Sequence, residues 1–401
     1  MKKPLVFLMT LIILSLTLFG CGSKDNNDNS QDNNSNTVTQ TSDIKQLSNV
    51  VGFSKESYDV ENDYQPFVNN THDIAYCNEG YYFFEREYLY FFDKASKKAV
   101  PVCNKPDCEH EDDSCNAHFS VDQFYVASGV FYHDSHIYIL GTDGEQFSTK
   151  LYLYKISKDG TSREKTCYLG NYGSNVSTYS LEFIIHKNNG YLLFSDDNMS
   201  QLKTFNINDD KPKLKEIDKI KGTGANLYRL TGFGDVVAYQ YGCFSDESME
   251  HFEGGIKLII NGKPQTVVEG AIKTYFITDG KIYYETDSGL DVLNIKDKST
   301  KTFNTPDGAN SVTYDGKYFY LYNDGYDDYQ FKIYVYDSNE KLIDTVTTPK
   351  ECTGLLFGSD DFFFADFVDG KKGIMKYFEK SQLGTGKINW KTACEKYYES
   401  E

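Results

Sequence analysis

Three thiols and an imidazole lie close together in the stretch CNKPDCEHEDDSC, which runs from Cys103 to Cys115. Zinc takes four nitrogen or sulfur ligands in its closed structural sites, and three cysteines with one histidine form a common set. Pro106-Asp107 is placed to turn the chain back so that Cys103 and Cys108 converge. In an extended segment Cys108 and His110 share a side. The expected site is therefore a structural zinc ion held by Cys103, Cys108, His110 and Cys115. The C-x4-C-x-H-x4-C spacing is not among the commonest finger spacings. A disulfide, Cys103–Cys108 or Cys108–Cys115, is the alternative in an oxidising compartment, and an iron–sulfur cluster is a third. Cys77, Cys167, Cys243, Cys352 and Cys394 are scattered, unlike the dense pattern of a disulfide framework, and suit core positions.

Other chemistry is hard to place. The chain has no G-x-S-x-G elbow, no H-E-x-x-H pair and no phosphate-cradling glycine loop. Asp324, Asp327 and Asp328 lack the ordered spacing of a calcium loop. His133 and His136 flank a turn. Carboxylates are so numerous that none stands out for acid–base work. The net charge is −18, or −20 once Lys2 and Lys3 are removed, which argues against nucleic acid and against electrostatic docking on anionic lipid.

What must position these groups is a β scaffold. Tyr and Phe number 33 and 28 against one Trp, and such residues favour strands. A unit recurs in which a tight turn precedes an aromatic-rich run. Asp279-Gly280 precedes Ile282-Tyr283-Tyr284, and Asp315-Gly316 precedes Tyr318-Phe319-Tyr320. Weaker copies are Glu79-Gly80, Asp134-Ser135, Asn189-Gly190, Gly234-Asp235 and Asp360-Asp361. The second turn residues fall at 80, 135, 190, 235, 280, 316 and 361, spaced 55, 55, 45, 45, 36 and 45. That spacing matches one four-stranded blade per unit. The expected fold is all-β, a seven-bladed β-propeller of four-stranded antiparallel blades, with a pair of β-sandwiches as the alternative. The segment 45–75 is left without a blade, and a short helical turn is expected near Trp390–Tyr398.

The amino terminus reads as an export signal. Met1-Lys2-Lys3 is basic, and an apolar run from Leu5 to Phe19 follows, short for a membrane span. It ends Leu18-Phe19-Gly20-Cys21, which resembles the lipobox of bacterial lipoproteins. The resemblance implies cleavage before Cys21 and attachment of fatty acyl chains, palmitate among them, to that residue. Two acyl chains anchor stably where one is marginal. Residues 22–43, rich in Asn, Asp and Ser, have no apolar periodicity and read as a disordered tether. The domains are thus a lipoprotein signal peptide at 1–20, a tether at 21–44 and a propeller at 45–401 that carries the Cys/His loop at 103–118.

Ile137–Gly160 and Ile282–Lys296 look like blades of the low-density-lipoprotein-receptor-like (YWTD) propellers, with Tyr283 to Asp287 echoing the tetrapeptide. Lipobox, tether, propeller and Cys cluster together resemble a family of Gram-positive surface lipoproteins of unknown function. The resemblance implies a fold and a place on the outer face of the cell membrane, but no activity.

In a propeller blade the connections between second and third strands, and between blades, leave from one face. The long connections all belong to that kind, so one elaborated face is expected, with the Cys/His loop on it. Its exposed candidates are Tyr241, Phe244, His251, Phe252, Tyr326 and Tyr329. The expected function is a monomeric binding or scaffold module for an extracellular protein, peptide or glycan. The alternative is a glycan hydrolase or lyase built in the central channel. A convergent carboxylate pair or an open metal position there would favour the enzyme.

Overall fold

The computed structural model describes residues 74–397, except 86, 113, 121–128, 144, 146–149, 173–180, 197, 210, 235, 245–251, 279, 324, 326–328 and 360. The signal peptide, Cys21, the tether, His251 and Tyr326 lie outside the described residues.

Seven four-stranded antiparallel sheets follow one another along the chain. They span 74–101, 131–171, 181–221, 223–269, 274–303, 311–347 and 352–397, and are called blades 1 to 7. The first strands of blades 1 to 6, from Ile74–Tyr76 to Ser311–Tyr314, touch in succession and line the centre of the ring. The seven-bladed propeller expected from the repeat is the observed fold. Each turn used to find the repeat lies at or beside the hairpin joining a blade's first two strands. In blade 3 that turn is Lys187-Asn188, with Lys187 at φ 53, so Asn189 and Gly190 already belong to the second strand.

The second strands are apolar on both faces, because each blade is sandwiched between two others. In Gly80–Glu85, Tyr82 stacks on Tyr132 of blade 2 at 5.6 Å, while Tyr81 and Phe83 turn the other way onto Phe364 of blade 7. Period-two alternation thus appears as a choice of neighbour rather than of core or solvent. The outermost strands, such as Lys215–Lys221, carry the charge and blunt the blade edges.

Among the described residues every blade takes its four strands from consecutive chain, so the ring closes by packing rather than by a shared strand. Phe92 sits 5.3, 5.1 and 4.9 Å from the rings of Phe362, Phe364 and Tyr377 across the junction of blades 1 and 7. Lys94–Asp361 and Lys97–Glu379 ion pairs flank that seam at 3.1 and 2.8 Å. The expected helical turn at 390–398 is instead the outer strand Lys391–Tyr397, paired with Lys372–Glu379. Its alternating charge fits an edge strand as well as a helix face. Among the described residues no helix is long and apolar enough to cross a membrane.

Candidate functional site

The connection from blade 1 to blade 2 holds the cysteine cluster. Its backbone is tied at both ends. Val102 and Cys103 donate to Leu89 O and Pro101 O, and Leu89 and Phe119 donate to Ala117 O and Glu87 O, all at 2.7–2.9 Å. In between, Asp107 and His110 adopt left-handed φ values of 61° and 57°, which reverse the chain twice. The reversal at Pro106-Asp107 is therefore as expected, and a second one follows at His110. One ligand atom each from Cys103, Cys108, His110 and Cys115 lies within 4.8 Å of the others, and His110 Nδ1 is 3.3 Å from Cys115 Sγ.

Tetrahedral zinc holds thiolates about 3.8 Å apart, so this group can hold a metal ion with little movement. Cys115 is fully buried, and burial pushes its thiol up to about 12. Cys103 is held below the ordinary thiol value: burial opposes ionisation, but the amides of Lys105 and Asn116 and the neighbouring thiols outweigh it. His118 is not part of the group, since it pairs with Glu87 at 3.3 Å and packs on Tyr88. The cysteines of the described residues are free thiols.

The loop also leans on blade 2, which the spacing of its cysteines did not reveal. Asn104 N and Asn116 Nδ2 both donate to Gly160 O, at 3.2 and 2.8 Å. Gly160 has φ +72, and a Cβ there would lie 2.5 Å from the Val102 carbonyl carbon. The cluster therefore wedges into the seam between blades 1 and 2.

Of the face candidates, Phe244 and Phe252 form a cross-strand pair at the end of a long hairpin in blade 4, with rings 5.5 Å apart and edge to face. Phe252 remains 44% exposed. Its ring lies on bare backbone, since a Cβ at Gly254 or Gly242 would come within 2.5 or 2.8 Å of it. Tyr241 is half-buried against the apolar core, under the Lys257 ammonium at 4.7 Å. Tyr329 is 64% exposed at φ 48, and its carbonyl accepts from Cys352 N. The long connections do favour this face, but 380–390, on the opposite face, is also long.

A second group escaped notice in the sequence. Glu182 of blade 3, Arg229 of blade 4 and Tyr275 of blade 5 stand on first strands, so they meet at the ring's centre. Glu182 Oε1 and Oε2 accept Arg229 N and Leu230 N at 2.9 and 2.8 Å, and Tyr275 OH donates to Arg229 O at 2.7 Å. Glu285 of blade 5 feels Arg229, yet burial pushes its carboxyl up to about 7. The available signal was rarity: the chain's arginines are Arg86, Arg163 and Arg229, amid many lysines.

The raised carboxyl has a consequence for stability. Only the folded state disfavours charged Glu285, so stability falls as pH rises from the ordinary value of 4.5 towards about 7. Glu285→Gln is expected to stabilise the fold at pH 8 by up to about 3 kcal/mol, and not at pH 4. Urea midpoints at the two pH values check this, and an equal change at both would contradict it.

No protein-family model and no curated protein matches the chain. Solved structures with related coordinates include a candidate 6-phosphogluconolactonase from Bacteroides uniformis ATCC 8492, at TM-score 0.47 and 11% identity, covering 84% of this chain and 100% of that one. A quinonprotein alcohol dehydrogenase-like protein from Bacteroides thetaiotaomicron VPI-5482 aligns at TM-score 0.41 and 13% identity over 69% and 66% of the two chains. The WD40 domain of SCAP from fission yeast aligns at 0.42 and 10% over 87% and 89%.

Proposed function

We propose that the protein is a binding module, held to the outer face of the cell membrane by acyl chains on Cys21, that presents one propeller face to an extracellular peptide, protein or glycan. The observation that carries this reading is the Phe244–Phe252 pair, an aromatic surface laid on glycine backbone and left partly open to solvent. Exposed, rigidly seated aromatics are the usual anchors of an interface. The Cys/His group adds a closed four-ligand set, suited to zinc as a staple of its loop rather than as a reactive centre.

Glu285 lends the glycan hydrolase or lyase reading some support, because a carboxyl near 7 suits general acid work. The partner such an enzyme needs is missing at Glu182, whose two oxygens are committed to backbone amides. Glycan and peptide arrays probed with the full-length protein test the proposal. A ligand found there is expected to bind at least ~10-fold more weakly to Phe252→Ala. Unchanged binding by both Phe244→Ala and Phe252→Ala would sink the face, and cleavage of the ligand would replace the module by an enzyme. Cys21→Ser is expected to release the protein from the membrane fraction.

A further inference from the structure

The backbone at Arg229 is held in a conformation it would not choose. The pairing register of blade 4's first two strands slips between Tyr228 and Thr231, and Arg229 sits at φ 57. A left-handed residue other than glycine costs on the order of 1–2 kcal/mol and persists only where its surroundings impose it. Here both neighbouring blades impose it, since Glu182 grips the amides of Arg229 and Leu230 while Tyr275 grips the Arg229 carbonyl. Glu182, whose carboxyl desolvation pushes up, thus fixes the backbone from which the Arg229 side chain projects.

That side chain has little to hold. Among the described residues, its one hydrogen-bond acceptor is Gln240 Oε1 at a long 3.4 Å, and no carboxylate comes within ion-pair distance. Gln240 is itself fixed by Tyr228 OH, at 2.9 Å, and by Ile272 O. The Tyr228 ring lies 5.8 Å from the guanidinium carbon, and Tyr322 of blade 6 also faces the cation. Burial works against the charge of this guanidinium, yet arginine cannot shed it. A guanidinium has five donors in a planar fork that matches a two-oxygen anion.

We propose that the central channel binds the carboxylate group of a ligand through Arg229, with Glu182 as the positioning residue and Tyr228, Gln240 and Tyr322 as the collar. A carboxylate fits better than a phosphate or sulfate dianion, because a single cation that also feels the Glu182 carboxyl offsets at most one further negative charge in a chain of net charge −18. The inference deepens the binding-module reading and rests on it.

Phenylglyoxal modification of the full-length protein tests it, because peptide mass mapping reads Arg86, Arg163 and Arg229 separately. Succinate or D-galacturonate at ~20 mM is expected to slow Arg229 modification ~10-fold, as for a single bidentate contact of roughly millimolar affinity. Arg86 and Arg163 should be unaffected. Glu182→Gln is expected to lose the protection while Arg229 is still present, and an unchanged reaction rate at Arg163 in that variant reports that the fold is kept. The proposal is overturned if Arg229 does not react, if neither carboxylate protects it, if all three arginines are protected alike, or if inorganic phosphate or sulfate protects better. No natural ligand is needed, so failed array binding and failed protection are separate results.

Discussion

Lys380→Met is expected to cost about 3–5 kcal/mol, because it strands a carboxylate that has no access to water. The side chains of Lys380 and Asp315 are 1% and 0% exposed. The ammonium donates to Asp315 Oδ2, Phe357 O and Ser359 O, which uses all three of its protons, and it lies 5.4 Å from the centre of the Tyr320 ring. Asp315 also accepts from Lys317 N, Tyr318 N and Tyr320 OH. This network joins blade 6 to blade 7 through the 3-10 turn Lys380–Gln382.

Asp315→Asn keeps an acceptor for the two amides but removes the charge that Lys380 faces. It is therefore expected to cost less than Lys380→Met, and the two losses should not add, with a coupling on the order of 1 kcal/mol or more. Urea unfolding with an unchanged slope measures both. A Lys380→Met midpoint equivalent to a loss below about 1 kcal/mol would contradict the account.

Asp315 also illustrates where the sequence stops being informative. Asp-Gly before an aromatic run reads as a solvated hairpin turn, and the turn is there. The carboxylate is held locally by Lys317 N, Tyr318 N and Tyr320 OH, but the cation that matches its charge is Lys380 of the last blade, and no local pattern carries that information. The same holds at the centre. Glu182 and Arg229 come from different blades, and the bulge that joins them interrupts the periodicity by which strands are found. The aromatic repeat, by contrast, was legible because every blade meets the same two-sided packing demand, so Tyr81-Tyr82-Phe83 and Phe362-Phe363-Phe364 look alike for the same reason. The Cys/His group was legible because its members are neighbours in sequence. Its seat against Gly160 was not, since loop packing has no period.

That seat sets the size of the effect expected on removing the metal. If zinc joins Cys103, Cys108, His110 and Cys115, its binding energy is folding energy for the 103–118 loop. Cys115 is fully buried, and Phe119 just beyond the loop packs on Phe84 of blade 1 and Tyr154 of blade 2, so releasing the loop opens the seam as well as the site. Cys115→Ser is therefore expected to cost more than about 4 kcal/mol, a larger loss than a surface zinc knuckle would show. Full-length protein purified under reducing, zinc-replete conditions should carry about one zinc per chain. Cys115→Ser and His110→Asn should carry none. Cys77→Ser, at a buried thiol outside the group, should keep the metal and isolate the packing cost of losing a core sulfur. Less than about a tenth of an equivalent of zinc in the unsubstituted protein would end the zinc assignment. Loss of two titratable thiols on air exposure would then identify the disulfide, and visible absorbance the iron–sulfur cluster.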